Sequence, residues 1–590
     1  MMIAQVVIAG IVAFLSLFIP GFLIALALLK KTELNMFEIG VIGFIFGLIL
    51  PATMTWAESY FMKQIHFFSF SLGLFELNAI VLAIIGFLLC IQQGVITSST
   101  FKFSRAGEAE KERPEIIKEA HNNIIELRQE LQEFKGAQNI ITKHIEEETS
   151  LKEKQINELK NISGLSIEEK QKILELHKKE DEQLMQMHID EEEMLLQDFR
   201  NKKASDGKSR SLYKYAFAIL FAIMLIVFIT RIIGIGKSST YFEFDPYFDM
   251  LNTQSILTYG YQVLYSPSAW PIASQGTILR IQPLIPYLEA YWYSLMNVFT
   301  HYSAFNTTLM SNVSSVYPPL TAALLVFVIF LLIYKQYDEW IGLISAGLIA
   351  SIPVLFTTFV AGEQLLEPWG IFSLFFFFAT YMLAIKNMKS NRLAILAGLA
   401  FVSTFLGAHY YTVDAGVLTL YILIQGLINV LRRDFDINFY KMNAIVIAII
   451  AVFLAIYNPY HATLTGRIPS VFGIPITVSG PLFALLIIAV LEYVPKFLHK
   501  NKILFKKLDF KSYITFIAVI CIILVLLILF TKLGDPIKSY LTLSKHFTTP
   551  STPLFMTVQE FIPTGFKFNF ASNGLGLIAI GISILCRLLQ

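Results

Sequence analysis

Tyr215-Ala216-Phe217-Ala218-Ile219-Leu220-Phe221-Ala222-Ile223-Met224-Leu225-Ile226-Val227-Phe228-Ile229 carries no charged side chain, and shortly beyond its end comes Glu243-Phe244-Asp245-Pro246-Tyr247-Phe248. The apolar run extends to 213–233, about the length that a bilayer's hydrocarbon core requires of a helix. An acidic, aromatic loop directly after such a span lies at a membrane surface. Similar runs occur near 5–29, 36–60 and 79–99, and again near 313–334, 339–357, 368–385, 392–408, 415–431, 441–457, 481–495, 512–531 and 573–589. The expected fold class is therefore an all-α polytopic membrane protein.

Composition agrees. Of 590 residues, 55% are hydrophobic and only 15% charged, against roughly 25% charged in soluble domains. A net charge of +2 gives no reason to expect nucleic-acid binding. Cys90, Cys521 and Cys586 all sit in apolar runs, so neither a disulfide framework nor a zinc site is expected. The first run starts at Met1 with no basic leader and no small-residue cleavage site, and it reads as a retained span.

The positive-inside rule orients the spans. Lys30 and Lys31, the block 102–214, Lys386/Lys389/Arg392, Arg432/Arg433 and the Lys496–Lys507 cluster fall on alternate connections and are expected in the cytoplasm. The loops 234–312, 358–367, 409–414, 458–480 and 532–572 are then extracytoplasmic, with the plasma membrane as the expected location. Three domains follow: a three-span region over 1–101, a cytoplasmic block over 102–211, and a transmembrane domain over 212–590. In the block, Ile117, Ala120, Ile124, Leu127, Leu131, Phe134, Ile141 and Ile145 keep a 3-4 spacing broken only at Gln138. A break at Asn161–Leu165 precedes Ser166-Ile167-Glu168-Glu169, a capping-box helix start. The pattern predicts an antiparallel helical hairpin, read either as a solvated or dimerising stalk or as an arm that docks a cytoplasmic partner.

Three acidic clusters share the predicted outer side, and each has a plain structural reading. Asp245-Pro246 is a helix cap followed by proline at the first helical position. Alternatively Glu243, Asp245 and Asp249 offer hard oxygen ligands to a divalent cation. Glu363 and Glu367, in Val360-Ala361-Gly362-Glu363-Gln364-Leu365-Leu366-Glu367-Pro368, mark a helix start favoured by the macrodipole, or further metal ligands. Glu560, in Met556-Thr557-Val558-Gln559-Glu560-Phe561-Ile562-Pro563, is by itself an ordinary loop glutamate.

Phe242–Leu251 resembles the first external loop of the catalytic subunit of oligosaccharyltransferase, whose family follows its first span with an acidic-x-Asp-Pro-aromatic-aromatic motif. Val360–Ile371 is similar to that family's second acidic motif, which follows a Val-Ala-Gly lead. Thr557-Val558-Gln559-Glu560 resembles the Ser/Thr-x-x-Glu motif of the fifth external loop, with Pro563 at the matching offset. Counted from Leu212, that loop falls between the ninth and tenth spans, as in the family. The likeness covers about 212–590.

The resemblance implies a GT-C architecture and transfer of a glycan from a polyprenyl phosphate or pyrophosphate to the asparagine of Asn-x-Ser/Thr, assisted by Mn²⁺ or Mg²⁺. It assigns Asp245 to metal binding and amide contact, Glu367 to the metal, and Glu560 to acceptor handling. The partners implied are a lipid-linked oligosaccharide, an acceptor polypeptide and membrane lipid. The Asp-Pro-Tyr-Phe motif joined to an unusual N-terminal extension suggests a dolichol carrier and an archaeal source. Phosphate needs a cation in addition, for which Lys538, Lys545 and Arg467 are the outer-loop candidates.

Two departures stand out. The family's second motif has a carboxylate two residues before the position of Glu367, where this chain has Leu365, and Glu363 is the available substitute. The family's Trp-Trp-Asp-Tyr-Gly motif is absent, which leads us to expect a C-terminally truncated chain whose acceptor-reading part lies elsewhere. Asn306-Thr307-Thr308 and Asn312-Val313-Ser314 are external sequons open to glycosylation. His409-Tyr410-Tyr411 at an outer span end reads as an interfacial aromatic anchor. The competing readings are a related transferase using a lipid-monophosphate sugar and, from another class, a non-catalytic scaffold or a transporter. Acidic groups gathered in outer loops, with no internal repeat, disfavour transport.

Overall fold

The computed structural model describes residues 2–95, 143–144, 147–154, 177, 184, 188, 192, 209–233, 245–263, 265–266, 277–278, 282–362, 366–408, 410–432, 436–465, 470–471 and 474–500. The chain divides into two compact units, 1–100 with 216–590, and 101–215. Among the described residues, eight helices are long and apolar enough to cross a membrane. The protein is a helical, polytopic membrane protein.

The first unit opens with α1 (Met2–Leu29), α2 (Met36–Phe61) and α3 (Leu72–Gln92). Helices α1 and α2 pack backbone to backbone because Gly43 and Gly47, four residues apart on α2, meet α1 directly. A Cβ on Gly47 would stand 1.9 Å from the Leu17 carbonyl oxygen, and one on Gly43 2.6 Å from the Phe22 Cα. Small residues at this spacing are the usual means of close helix approach in lipid. Helix α3 begins well before the expected 79–99 span, with Ser71 accepting a hydrogen bond from the Leu74 amide as its N-cap. Glu76 and Asn78 made that first turn look too polar for a span. Both are satisfied inside the protein, Glu76 by Ser16 and Tyr291, Asn78 by Thr55 and Glu58.

Helix α4 (Ser209–Ile232) matches the run that opened the sequence reading. The predicted external loop 234–312 is itself structured. It holds α5 (Asp245–Tyr259), a minimal hairpin of β1 (Tyr265–Ser266) and β2 (Thr277–Ile278), α6 (Leu284–Thr300) and α7 (Thr307–Ser314). Then follow α8 (Tyr317–Tyr334), α9 (Glu339–Ser351) and α10 (Pro353–Thr358). The expected single span 339–357 is broken at Ile352-Pro353, because proline has no N–H to offer and pushes the preceding residue out of helical geometry. The remaining helices are α11 (Glu367–Lys386), α12 (Asn391–Gly407), α13 (Tyr411–Arg432), α14 (Ile437–Thr465) and α15 (Ile476–Lys500), with a second minimal hairpin of β3 (Ser470–Val471) and β4 (Ile474–Pro475) before α15. The core between α8, α11, α12 and α14 is aromatic, built on Phe327, Phe330, Phe372, Phe376, Phe377, Phe401, Phe405 and Tyr457. The two spans expected at 512–531 and 573–589 lie outside the described residues.

In the second unit the few described residues are helical. His144 Nδ1 lies 2.8 Å from Glu192, and His188 lies 3.1 Å from Glu148 and 3.2 Å from Glu147, while the two imidazoles stack at 4.0 Å. From the first pair to the second, one partner advances four residues and the other retreats four. Opposed helical steps of this kind are what an antiparallel pairing produces. The apolar heptad seam passes over His144, which is nonetheless buried.

Candidate functional site

Helix α5 starts at Asp245, with Pro246 in its first turn, where a missing N–H costs nothing. Asp245, Asp249 and Thr253 are spaced four apart and so follow one another up a single face. Asp249 and Thr253 are buried. The Asp245 side chain lies outside the described atoms.

Across from this face stands Glu289 on α6, only 1% exposed. Its Oε2 is 3.0 Å from the Thr253 hydroxyl, which is also 3.2 Å from the Asp249 carbonyl oxygen, while its Oε1 has no partner. Thr253 has one hydroxyl hydrogen and two acceptors in reach. The Glu289 contact, in which Thr253 donates, is the shorter of the two. Burial pushes the Glu289 carboxyl up to about 8, with the Thr253 contact opposing weakly.

What aims Glu289 is the N-terminal bundle. Tyr287 and Tyr291, on the helix face roughly opposite Glu289, are held by α2 and α3. The Tyr287 hydroxyl lies 2.5 Å from Ser59 Oγ, and Tyr291 stacks on Phe75 at 4.0 Å while donating to Glu76 at 2.9 Å. Burial raises both phenols above their usual range, so they are neutral. The Phe70 amide also donates to the Gly260 carbonyl just past α5. The region 1–95 thus braces both α5 and α6.

The second acidic motif arrives from α11. Glu367 is its first helical residue and is exposed, with Pro368 beside it. The next residue, Trp369, is buried; its backbone N–H donates to the Tyr317 hydroxyl at 2.9 Å and its indole N–H to the Ser403 carbonyl at 3.0 Å. The indole lies on the α12 backbone at Gly407, where a Cβ would come within 2.1 Å of its ring. Tyr317 is where the motifs meet: Asp249, Glu289 and Glu367 all lie near enough to act electrostatically on its hydroxyl. Glu367 also bears on Tyr410, whose hydroxyl is raised first by burial and then by that charge.

A second tie comes from Arg231 at the end of α4. It is buried, donates through Nη2 to the Ala350 carbonyl at 3.0 Å and lies over the Phe356 ring at 4.8 Å. Its own carbonyl accepts from the Ala361 amide at 3.0 Å. The end of α4, which precedes the first acidic motif in the sequence, is thereby fastened to the segment that precedes the second.

Of the residues expected from sequence, Glu367 and Asp249, one turn beyond Asp245, both bear on Tyr317. Glu363, Glu560, Lys538, Lys545 and Arg467 lie outside the described residues. Asn306 is the N-cap of α7, accepting from the Leu309 amide, and Asn312 lies within α7. Glu289 and Arg231 were missed. The available signal was a lone acid in the otherwise uncharged stretch Leu284–Met296, and a lone arginine closing a span. Among the described residues no three His, Cys, Asp or Glu side chains are close enough to hold a metal; Glu363 is not among them.

No protein-family model matches the chain, and no curated protein matches it. Solved structures of the oligosaccharyltransferase of Archaeoglobus fulgidus are similar to it in part. The archaeal enzyme AglB in complex with an inhibitory peptide and a dolichol-phosphate gives a TM-score of 0.44 at 16% identity, over 60% of this chain and 41% of that one. The form tethered to an acceptor peptide containing the NVT sequon gives 0.41 at 15% identity, over 54% and 38%. The apo form gives 0.42 at 17% identity, over 60% and 40%. The chain spans about two fifths of the length of these proteins.

Proposed function

We propose that this protein is a metal-dependent glycosyltransferase that moves an oligosaccharide from a polyprenyl (dolichyl) phosphate or pyrophosphate carrier to the asparagine of an Asn-x-Ser/Thr sequence. The observation that carries this reading is that Asp249, one turn along the Asp245 helix, and Glu367 both bear electrostatically on the Tyr317 hydroxyl, from two motifs more than a hundred residues apart whose order and spacing resemble those of oligosaccharyltransferase. Asp245, Glu367 and Glu363 are the carboxylates that would hold Mg²⁺ or Mn²⁺, and their hard oxygen atoms suit either ion. The cation would offset charge on the departing phosphate.

The rest of the chemistry falls to the chain. The acceptor nitrogen attacks the sugar C1, the C1–O bond to phosphate breaks, and the amide gives up one proton. An amide lone pair is delocalised into its carbonyl, so carboxylates that accept from the NH2 group and hold it twisted toward C1 do the positioning. Asp245 and Glu560 take that role here, with Lys538, Lys545 and Arg467 gripping phosphate.

Membranes holding the full-length protein, given native lipid extract and a fluorescent Asn-x-Thr peptide, should form glycopeptide that EDTA suppresses. Asp245→Ala should lower the rate at least about 100-fold, as expected for loss of a preorganised charged group. Full activity in Asp245→Ala, or none that depends on metal in the wild type, would overturn the proposal. Product from a single-sugar lipid monophosphate alone would favour the related lipid-monophosphate-sugar transferase.

A further inference from the structure

Helices α5 and α6 of the predicted external loop and the segment 302–305 that follows α6, with Leu72 at the start of α3, border an open cavity of about 420 Å³. That is within the roughly 300–1,000 Å³ of small-molecule sites. It is distinct from the Tyr317 neighbourhood. Thr258 lies thirteen residues along α5 from Asp245, about 20 Å at the helical rise.

The lining chooses the ligand. Among the described residues, no charged side chain borders the cavity, so they offer no countercharge to a phosphate, a carboxylate or a cation. Aromatic rings come from Tyr293, Tyr302 and Phe305, and hydroxyls from Ser294, Ser303 and Thr258. Ring faces beside hydroxyl groups suit a molecule with apolar C–H faces and many neutral O–H groups. A saccharide has both.

The wall is also built in advance. Asn297 clamps the Tyr302 backbone from both sides, its Oδ1 accepting the Tyr302 N–H at 2.9 Å and its Nδ2 donating to the Tyr302 carbonyl at 3.1 Å. His301 closes α6 in the left-handed conformation (φ 54°), the one non-glycine positive φ among the described residues. Phe305 stacks on Tyr293 at 5.3 Å, and the Tyr293 hydroxyl accepts from the Asn306 amide at 2.9 Å. The Tyr302 side chain is left 46% exposed on this fixed backbone.

We propose that this cavity is a subsite for a neutral sugar unit remote from the reacting carbon, so that the donor is read as an oligosaccharide and not as a single sugar. The proposal rests on the transferase reading above. It gives the N-terminal bundle a second task, since Leu72 completes the wall.

The test is direct binding, independent of turnover. The full chain in detergent is mixed with neutral tetrasaccharides of mannose, of glucose and of N-acetylglucosamine, and ligand saturation-transfer NMR is recorded. At least one should bind. Tyr302→Ala should weaken it about tenfold and Tyr302→Phe, which keeps the ring, no more than about threefold, the scale of one aromatic contact. Only the backbone of residue 302 is clamped, so these variants leave the wall intact. No binding by any of the three sugars, or wild-type binding by Tyr302→Ala, overturns the subsite. Asp245→Ala should bind sugar like the wild type while losing transfer. Absence of transfer by the wild type would sink the transferase reading, retained transfer in Asp245→Ala would sink the role given to Asp245, and either would leave the subsite to be judged on binding.

Discussion

Glu38 and Glu289 are both buried glutamates, at 0% and 1% exposure, and the protein treats them oppositely. Glu38 belongs to a capping box and faces a countercharge. Its Oε2 accepts from the Asn35 amide at 2.8 Å, the Asn35 side chain accepts from the Glu38 amide at 2.9 Å, and Lys335 Nζ stands 3.0 Å from Oε1. Cap, charge and countercharge tie α2 to the end of α8. Glu289 has one hydroxyl neighbour and an oxygen with no partner, yet it stands beside the Asp245 helix, and the N-terminal bundle holds its helix in place. A buried charge tolerated for architecture comes with its countercharge, as Glu38 does. A buried carboxyl without one, as Glu289 is, is held protonated at neutral pH instead.

The sharpest way to break this comparison is pH. Glu289 has its folded pKa raised to about 8 from 4.5, so the folded protein keeps a proton that the unfolded chain releases. Stability from this group is full below about 4.5, declines as pH rises toward 8, and is level beyond. The loss is on the order of 5 kcal/mol at most. Glu289→Gln should therefore gain on the wild type steadily from pH 5 to pH 8 in thermal melts of the detergent-solubilised protein. Equal differences at both pH values would show that Glu289 is as well satisfied as Glu38. The same variant should lower glycopeptide formation, whereas Glu38→Gln should leave turnover of the folded fraction unchanged.

The next effect is smaller and falls on the other side. Lys335→Ala leaves the Glu38 carboxylate buried without its countercharge and should cost about 3 kcal/mol or more. A paired Glu38→Gln/Lys335→Ala variant should recover much of that loss, because no orphaned charge remains. A double variant no more stable than Lys335→Ala would mean that the Glu38 charge was never the issue.

The contrast also explains what could be read in advance. Runs such as 313–334 announce themselves because lipid demands length and apolarity together, and α4 and α8 were visible on that ground alone. The start of α3 was misplaced because Glu76 and Asn78 look costly until Ser16, Thr55 and Tyr291 are known to meet them, and such partners lie far away in sequence. Asp245-Pro246 and Glu367-Pro368 were legible because caps and proline positions are local rules. Glu289 obeys no local rule. Its meaning depends on α6 being turned by Tyr287 and Tyr291 against a bundle that begins at residue 2, and no pattern within α6 states that. The cavity beside Tyr302 was hidden for the same reason, since its wall joins Leu72 to a loop more than two hundred residues later.

The smallest effect tests whether the Glu38 arrangement is as local as it looks. The Asn35 side chain serves the capping box: it accepts the Glu38 amide, while the Asn35 amide donates to the Glu38 carboxylate. Asn35→Ala removes the first bond and leaves the second, so it should cost about 1 kcal/mol, the usual worth of an N-cap. Asn35→Asp should restore the cap acceptor and yet recover only part of the loss, because it sets a second negative charge against Glu38 with Lys335 alone to offset both. If Asn35→Asp instead matches the wild type in thermal melts, Lys335 has charge to spare and the ion pair is looser than its 3.0 Å separation implies. If Asn35→Ala costs as much as Lys335→Ala, the cap and the ion pair fail together. The seam between α2 and α8 would then be one cooperative unit, in contrast to Glu289, whose removal should leave every neighbouring helix in place.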